Sequence, residues 1–242
     1  MKKIIFLFCL IAIARHSSAQ AIFISKGKIE FEKRTNMWIS MKGSFAEQLK
    51  KSLPEYKTSY FNYEFDAKKA IYKPGREVDD KYNSFFGNLA GDNVVYSDFT
   101  TDKYVAKKHV FEKTFLIEDS LRNAKWKIKN DFRDIAGFHC RRATTIIMDS
   151  VFVVAFYTDE ITIPGGPESF SGLPGMILGL VINRIHTTWY ATKVEAESVD
   201  EKDLTPPNGG KKIDESTLKE ELKKLMSDWG KYGQRNLWNI MI

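Results

Sequence analysis

Cysteine is nearly missing from this chain: two occur in 242 residues, Cys9 inside an apolar amino-terminal run and Cys140 far from it. If the leader is removed, Cys140 is alone, which excludes a disulfide framework and a thiolate metal cluster. Histidine is scarce as well, with four residues. His109, His139 and His186 never stand four apart, the spacing that lets one helix chelate zinc. His139 and Cys140 are neighbours on an expected strand and point to opposite faces, so they share no metal. After the amino-terminal segment no apolar run is long enough to cross a bilayer as a helix. Blocks of Lys or Arg interleaved with aromatics are lacking too. The pairs Lys107-Lys108 and Arg141-Arg142 read as solvated strand faces, and nucleic acid is not an expected partner.

What is present begins with Lys2 and Lys3, an apolar segment from Ile4 to Ala14, and the polar stretch Ser17-Ser18-Ala19-Gln20. This is the layout of a secretory signal peptide, residues 1–19, with small residues at Ser17 and Ala19 and cleavage expected after Ala19. The leader carries three of the basic residues behind the formal net charge of +6. Residues 20–242 have the length for one sizeable core and are expected to form a single domain. The expected location is the periplasm or the periplasmic face of the outer membrane. Cys140 is expected to be a small buried strand residue.

Alternation with β-branched and aromatic enrichment marks about ten strands: Lys28 to Glu32, Lys57 to Phe65, Ala70 to Lys73, Asn93 to Phe99, Tyr104 to Phe111, Lys113 to Glu118, Ala143 to Met148, Val151 to Tyr157, Met176 to Ile182 and Thr187 to Glu195. Short links between them predict a mainly β fold: a single antiparallel meander sheet, strongly curved or partly closed into a barrel. Two short helices are expected. One covers Ser44 to Leu53 with Phe45, Leu49 and Leu53 on one face. The other covers about 217–229, with Leu218, Leu222, Leu225 and Trp229 aligned, a capping box from Thr217 to Glu220, and Gly230 as its stop.

Residues Pro164 to Ile182 combine glycine, proline and an apolar run. Leu173-Pro174-Gly175-Met176 has the order of a type II turn and leads into a strand buried on both faces. On that strand Gly179 leaves a gap suited to a bulge, a neighbouring aromatic ring or a ligand. Catalytic constellations are not evident. Ser169 and Ser171 lack the Gly-x-Ser-x-Gly elbow, and the glycines at 165, 166, 172 and 175 lack the Lys-Ser/Thr ending of a phosphate loop. The adjacent acids Asp159 and Glu160 read as turn residues at a strand end. No catalytic, cofactor or metal residue is assigned.

Three segments, Ile135 to Thr144, Val154 to Ile161 and Gly166 to Leu178, together resemble the GLPGLI family of exported proteins, with Met176 where the motif has Leu and Phe156 where Trp is common. The resemblance implies an envelope protein of the Bacteroidetes type, under a name that describes a motif and not a reaction. It makes Asp159, Glu160, Pro164, Gly166, Pro167, Phe170, Gly172, Leu173, Pro174, Gly175, Met176, Ile177 and Leu178 a family motif or binding loop. The expected function is that of a periplasmic binding or accessory protein without catalytic activity, engaging an envelope protein partner in outer-membrane transport or assembly through a loop presenting Glu168, Ser169, Phe170 and Leu173, with inward packing of Phe170 and Leu173 the equal alternative to anchoring a partner. The alternative is a carrier of a lipid or other hydrophobic ligand in a curved-sheet cavity. A hydrolase using Asp159, Glu160 and Ser169 stands last, and no cofactor is expected.

Overall fold

The computed structural model describes residues 23–41, 43–78, 91–122 and 124–242. The expected leader and its cleavage site lie outside them. All ten expected strands are present, as β1 (Gly27–Asn36), β2 (Tyr56–Phe65), β3 (Lys69–Pro74), β4 (Val94–Asp98), β5 (Lys103–Val110), β6 (Lys113–Ser120), β8 (Phe138–Ile147), β9 (Val151–Thr158), β10 (Met176–Ile182) and β11 (Thr187–Glu195). Two more join them, β7 (Lys127–Ile135) and β12 (Lys211–Ile213). The first of these buries only Ile135 and carries no alternation, and the second is three residues long, so neither left a sequence signal.

The described strands form one sheet in the order β12-β6-β5-β4-β3-β2-β1-β11-β10-β9-β8-β7. It is mixed, because β12 runs parallel to β6 while the other neighbours are antiparallel. One meander runs outward from β1 to β6 and another runs inward from β7 to β11, and the two meet where β1 pairs β11. Laid flat, β6 and β7 would be separated by ten strand spacings, about 48 Å. The chain from Ser120 to Lys127 reaches only about 25 Å at full stretch. The sheet therefore curls until its two ends approach, yet no ladder joins β7 to β12 and it stays open.

Three α-helices complete the described fold: α1 (Ser44–Ser52), α2 (Glu215–Leu225) and α3 (Gly230–Met241). The third was missed because Gly230 was read as a stop. With φ of 53° it turns the chain into α3 instead. Asp214 caps α2 by accepting from the Thr217 backbone N–H at 2.8 Å, in place of the expected Thr217 to Glu220 box. On α1 the expected stripe fails, since Phe45 is exposed and Ala46 is buried. Leu218, Leu222, Met226, Leu237, Ile240 and Met241 join the strand side chains in one core. Arg122, on the β6–β7 crossing, donates to the Met241 carbonyl at 2.9 Å and locks α3 in place. Protein thus fills the hollow in which a hydrophobic ligand was expected, and the carrier alternative is corrected.

The Pro164 to Gly175 loop is folded inward. Gly166, Pro167, Ser169, Phe170, Ser171 and Leu173 are buried, leaving Gly172 and Pro174 exposed. Trp126 fixes it by donating from Nε1 to the Ser171 carbonyl at 2.9 Å. The turn at Pro174 is one residue tighter than type II, because the Gly175 N–H reaches the Leu173 carbonyl while Met176 N–H goes to Ile161. A Cβ on Gly175 would stand 2.0 Å from the Thr158 carbonyl oxygen, so only glycine fits there. In β10 the gap at Gly179 is filled by the Tyr190 ring directly across the ladder and by Ile135, beside a bulge at Ile177/Gly179. Packing, not a ligand, explains that glycine.

Candidate functional site

Two lysines stand in the inward phase of alternating strands. In β1 the core-facing series Gly27, Ile29, Phe31 continues to Lys33, and in β5 the series Tyr104, Ala106, Lys108, Val110 is buried throughout. Lys108 is 4% exposed. The curl of the sheet turns both toward one point, where the buried loop supplies Glu168. Its backbone takes φ of 56°, the left-handed region that side chains other than glycine rarely adopt. That turn aims the carboxylate inward.

Glu168 Oε1 accepts from Lys33 Nζ at 3.0 Å, and Oε2 accepts from Asn93 Nδ2 at 3.0 Å. Lys108 Nζ donates to the Ile240 carbonyl at 2.9 Å, which ties the site to the end of α3. Burial alone would raise the Glu168 carboxyl, but the Lys33 and Lys108 charges and the Asn93 and Lys33 hydrogen bonds outweigh it and hold the carboxyl below its ordinary value. Burial pushes the Lys108 ammonium down to about 8, and Glu168 opposes that fall. Lys108 and Glu168 are therefore buried charges, with Lys33 beside them at the edge of the interior.

This burial has a pH consequence. Lys108 binds its proton less tightly folded than unfolded, so between about pH 8 and its ordinary value of 10.5 the unfolded chain holds more protons. The cost of burying the charge is borne in full below about pH 8 and is relieved as pH rises. Urea unfolding at pH 8 and pH 10 is expected to show the protein gaining stability relative to Lys108→Met. A difference between the two that does not change with pH would contradict this, since the other titrating groups are common to both.

Above the pair lies a cavity of about 300 Å³ whose lining includes Lys33, Thr35, Thr187, Trp189, Arg235 and Asn236. Lys33 Nζ stands 5.0 Å from the Trp189 ring centre, so its stem is clamped while its ammonium faces both Glu168 and the cavity. The Trp189 indole N–H, the Tyr72 hydroxyl and Asn93 Oδ1 are buried without a hydrogen-bond partner of good geometry, although Tyr72 and Trp189 are close enough to influence one another. Orphaned polar atoms of this kind around an ion pair are what a site built for a polar ligand leaves open.

The residues expected from sequence do not gather here. Asp159 is exposed, and Glu160 meets Thr158 in a local turn while its carbonyl accepts from Ile24. Ser169 is buried with no base beside it among the hydrogen bonds of the described residues. Phe170 and Leu173 are 1% and 2% exposed and form core, so the exposed docking loop is corrected. No cluster of three or more His, Cys, Asp or Glu side chains able to hold a metal occurs among the described residues. Cys140 is fully buried on β8, and burial pushes its thiol up to about 12, which makes it inert. Lys108, expected on a solvated face, is buried instead, and Lys33, Asn93 and Trp189 were not among the expected site residues. The signal was a lysine in the apolar phase of an alternating strand, present twice.

Fold and site define an open, curled, mainly β domain with helices packed in its hollow and, on its inner face, a carboxylate held by Lys33 and Asn93 with the buried Lys108 charge nearby. The chain belongs to the family described as the N-terminal domain of N-glycanase, whose model matches residues 97–220. That span contains Glu168 and Lys108. The fold is similar to that of PNGF-II in two crystal forms. The C2 form has TM-score 0.53 at 14% identity over 81% of this chain and 32% of that one, and the P21 form has 0.54 at 13% over 86% and 34%. The chain spans about a third of the length of those structures. No curated protein sequence matches it. The family match overturns the GLPGLI resemblance, and with it the expectation of an envelope accessory protein without catalysis. Among the described residues no helix is long and apolar enough to cross a membrane.

Proposed function

We propose that the protein takes part in the enzymatic removal of N-linked glycans, as an N-glycanase-type hydrolase to which this chain contributes the amino-terminal domain. The family match over residues 97–220 is the observation that carries this reading. The cavity above Lys33 suits a carbohydrate: Thr35, Ser40, Ser59 and Thr187 offer hydroxyls, Asn236 and Asn239 offer amides, and Tyr232 and Trp189 offer aromatic surface. Within the buried pair, Lys33 is the member that reaches the cavity, and its remaining N–H groups can donate to a sugar or amide oxygen. Glu168 orients that ammonium. Export through residues 1–19 to the periplasm is part of the proposal.

The test incubates the protein with an N-glycosylated protein and follows free glycan and stripped polypeptide by mass spectrometry. Release at the asparagine is expected, reduced in a folded Lys33→Met variant. Glycoprotein that stays intact at every protein concentration overturns the hydrolase reading.

A further inference from the structure

A second cavity of about 550 Å³ opens on the same side of α3, lined by residues that include Phe152, Arg184, His186, Lys231, Arg235 and Trp238. Arg235 lines both cavities, so the two adjoin across one turn of α3. Neither cavity has an aspartate or glutamate among its lining residues. Arg184 stacks its guanidinium 5.5 Å from the Trp238 ring centre, and Arg235 does the same at 5.5 Å from Tyr232. At that distance each guanidinium lies over an aromatic ring in cation–π range, and its N–H groups remain able to meet an anion. Phe152 is 48% exposed and Tyr232 57% exposed, large aromatic faces left in water on either side of Arg235. At the inner end of the first cavity the Trp189 indole N–H and the Lys33 ammonium, already paired with Glu168, add donors.

We infer that the two adjoining cavities, meeting at Arg235, bind an acidic saccharide, its sugar rings against Tyr232, Trp238 and Phe152 and its carboxylate or sulfate groups on Arg235 and Arg184. The inference rests on the glycan-hydrolase reading for the ligand being a sugar, and goes beyond it in assigning the charge. Charge-assisted hydrogen bonds from arginine favour the anion, while the stacked aromatics favour the ring faces of the sugars. A neutral glycan would leave the arginines with water alone.

The experiment measures binding to the whole protein by titration calorimetry with three probes: a sialylated biantennary N-glycan, a sulfated form of it, and the neutral glycan left after sialic acid removal. Both or either of the anionic probes should bind about tenfold more tightly than the neutral one, and the stronger of the two identifies the anion. Arg184→Gln, exposed and outside the cavity above Lys33, should erase most of that preference while leaving the neutral glycan unaffected, and Arg235→Gln, at the junction of the two cavities, should weaken the acidic probes more than the neutral one. Neutral glycan binding as tightly as the acidic forms overturns the inference and leaves the glycan reading standing. No binding of any probe, together with no glycan release, removes both.

Discussion

Glu168→Ala is expected to lower the free energy of unfolding by about 3–5 kcal/mol, because it removes the counter-charge of the buried Lys108 and the hydrogen-bond partner of Lys33 and Asn93. Against a total stability of about 5–15 kcal/mol, this is a large fraction. Urea unfolding of the two proteins gives the comparison directly. The cause can be separated from simple loss of volume: Glu168→Gln keeps the shape and removes the charge, and should recover little. The double change Glu168→Gln with Lys108→Met should recover more than either change alone suggests, since it removes the anion together with the fully buried cation. A loss under about 1 kcal/mol for Glu168→Ala would mean that water reaches the pair and that the site is not dry.

Phe170→Ala should cost about 3–5 kcal/mol, the usual toll of emptying a ring-sized space in a close-packed core. Phe170 lies 6.4 Å from Trp126 between ring centres, and the Arg122 guanidinium stands 5.4 Å over its ring. The loss should therefore loosen the β6–β7 crossing and the buried loop together. Phe170→Leu should cost distinctly less, because most of the volume is kept. The exposed-loop expectation gave the opposite forecast, an alanine variant with full stability and a weakened partner. Thermal melting of the two variants decides between them, and equal melting points for Phe170→Ala and the parent would show that the ring is not part of the core.

Most of the strands were legible because one face is apolar and the other wet. β10 was also recognised as buried on both faces, and its glycine as a packing device. The missing elements fail for physical reasons. β7 lies at an edge with eight exposed positions, so nothing in its sequence distinguishes it from a loop. α3 begins at a glycine that was taken as punctuation. The site was harder. Adjacent lysines at 107 and 108 suggest a solvated face, although the two occupy opposite phases of β5 and Lys108 is the one turned inward. Glu168 stood in the segment that drew most attention, but its partners come from strands about 60 and 135 residues earlier in the chain, and only the curl brings them together. A loop rich in proline and glycine reads as surface, whereas this one is pinned beneath Trp126.

The central ladder joins Lys28 to Glu195, the two ends of most of the described chain. Contacts of that separation form late, since the loop between them must close before any of the pairing is rewarded. During synthesis β1 therefore has its hairpin partner β2 but not its other neighbour until residue 195 has been added. The nascent chain is left with an open strand edge for most of translation, a state that invites association with other chains until β11 arrives.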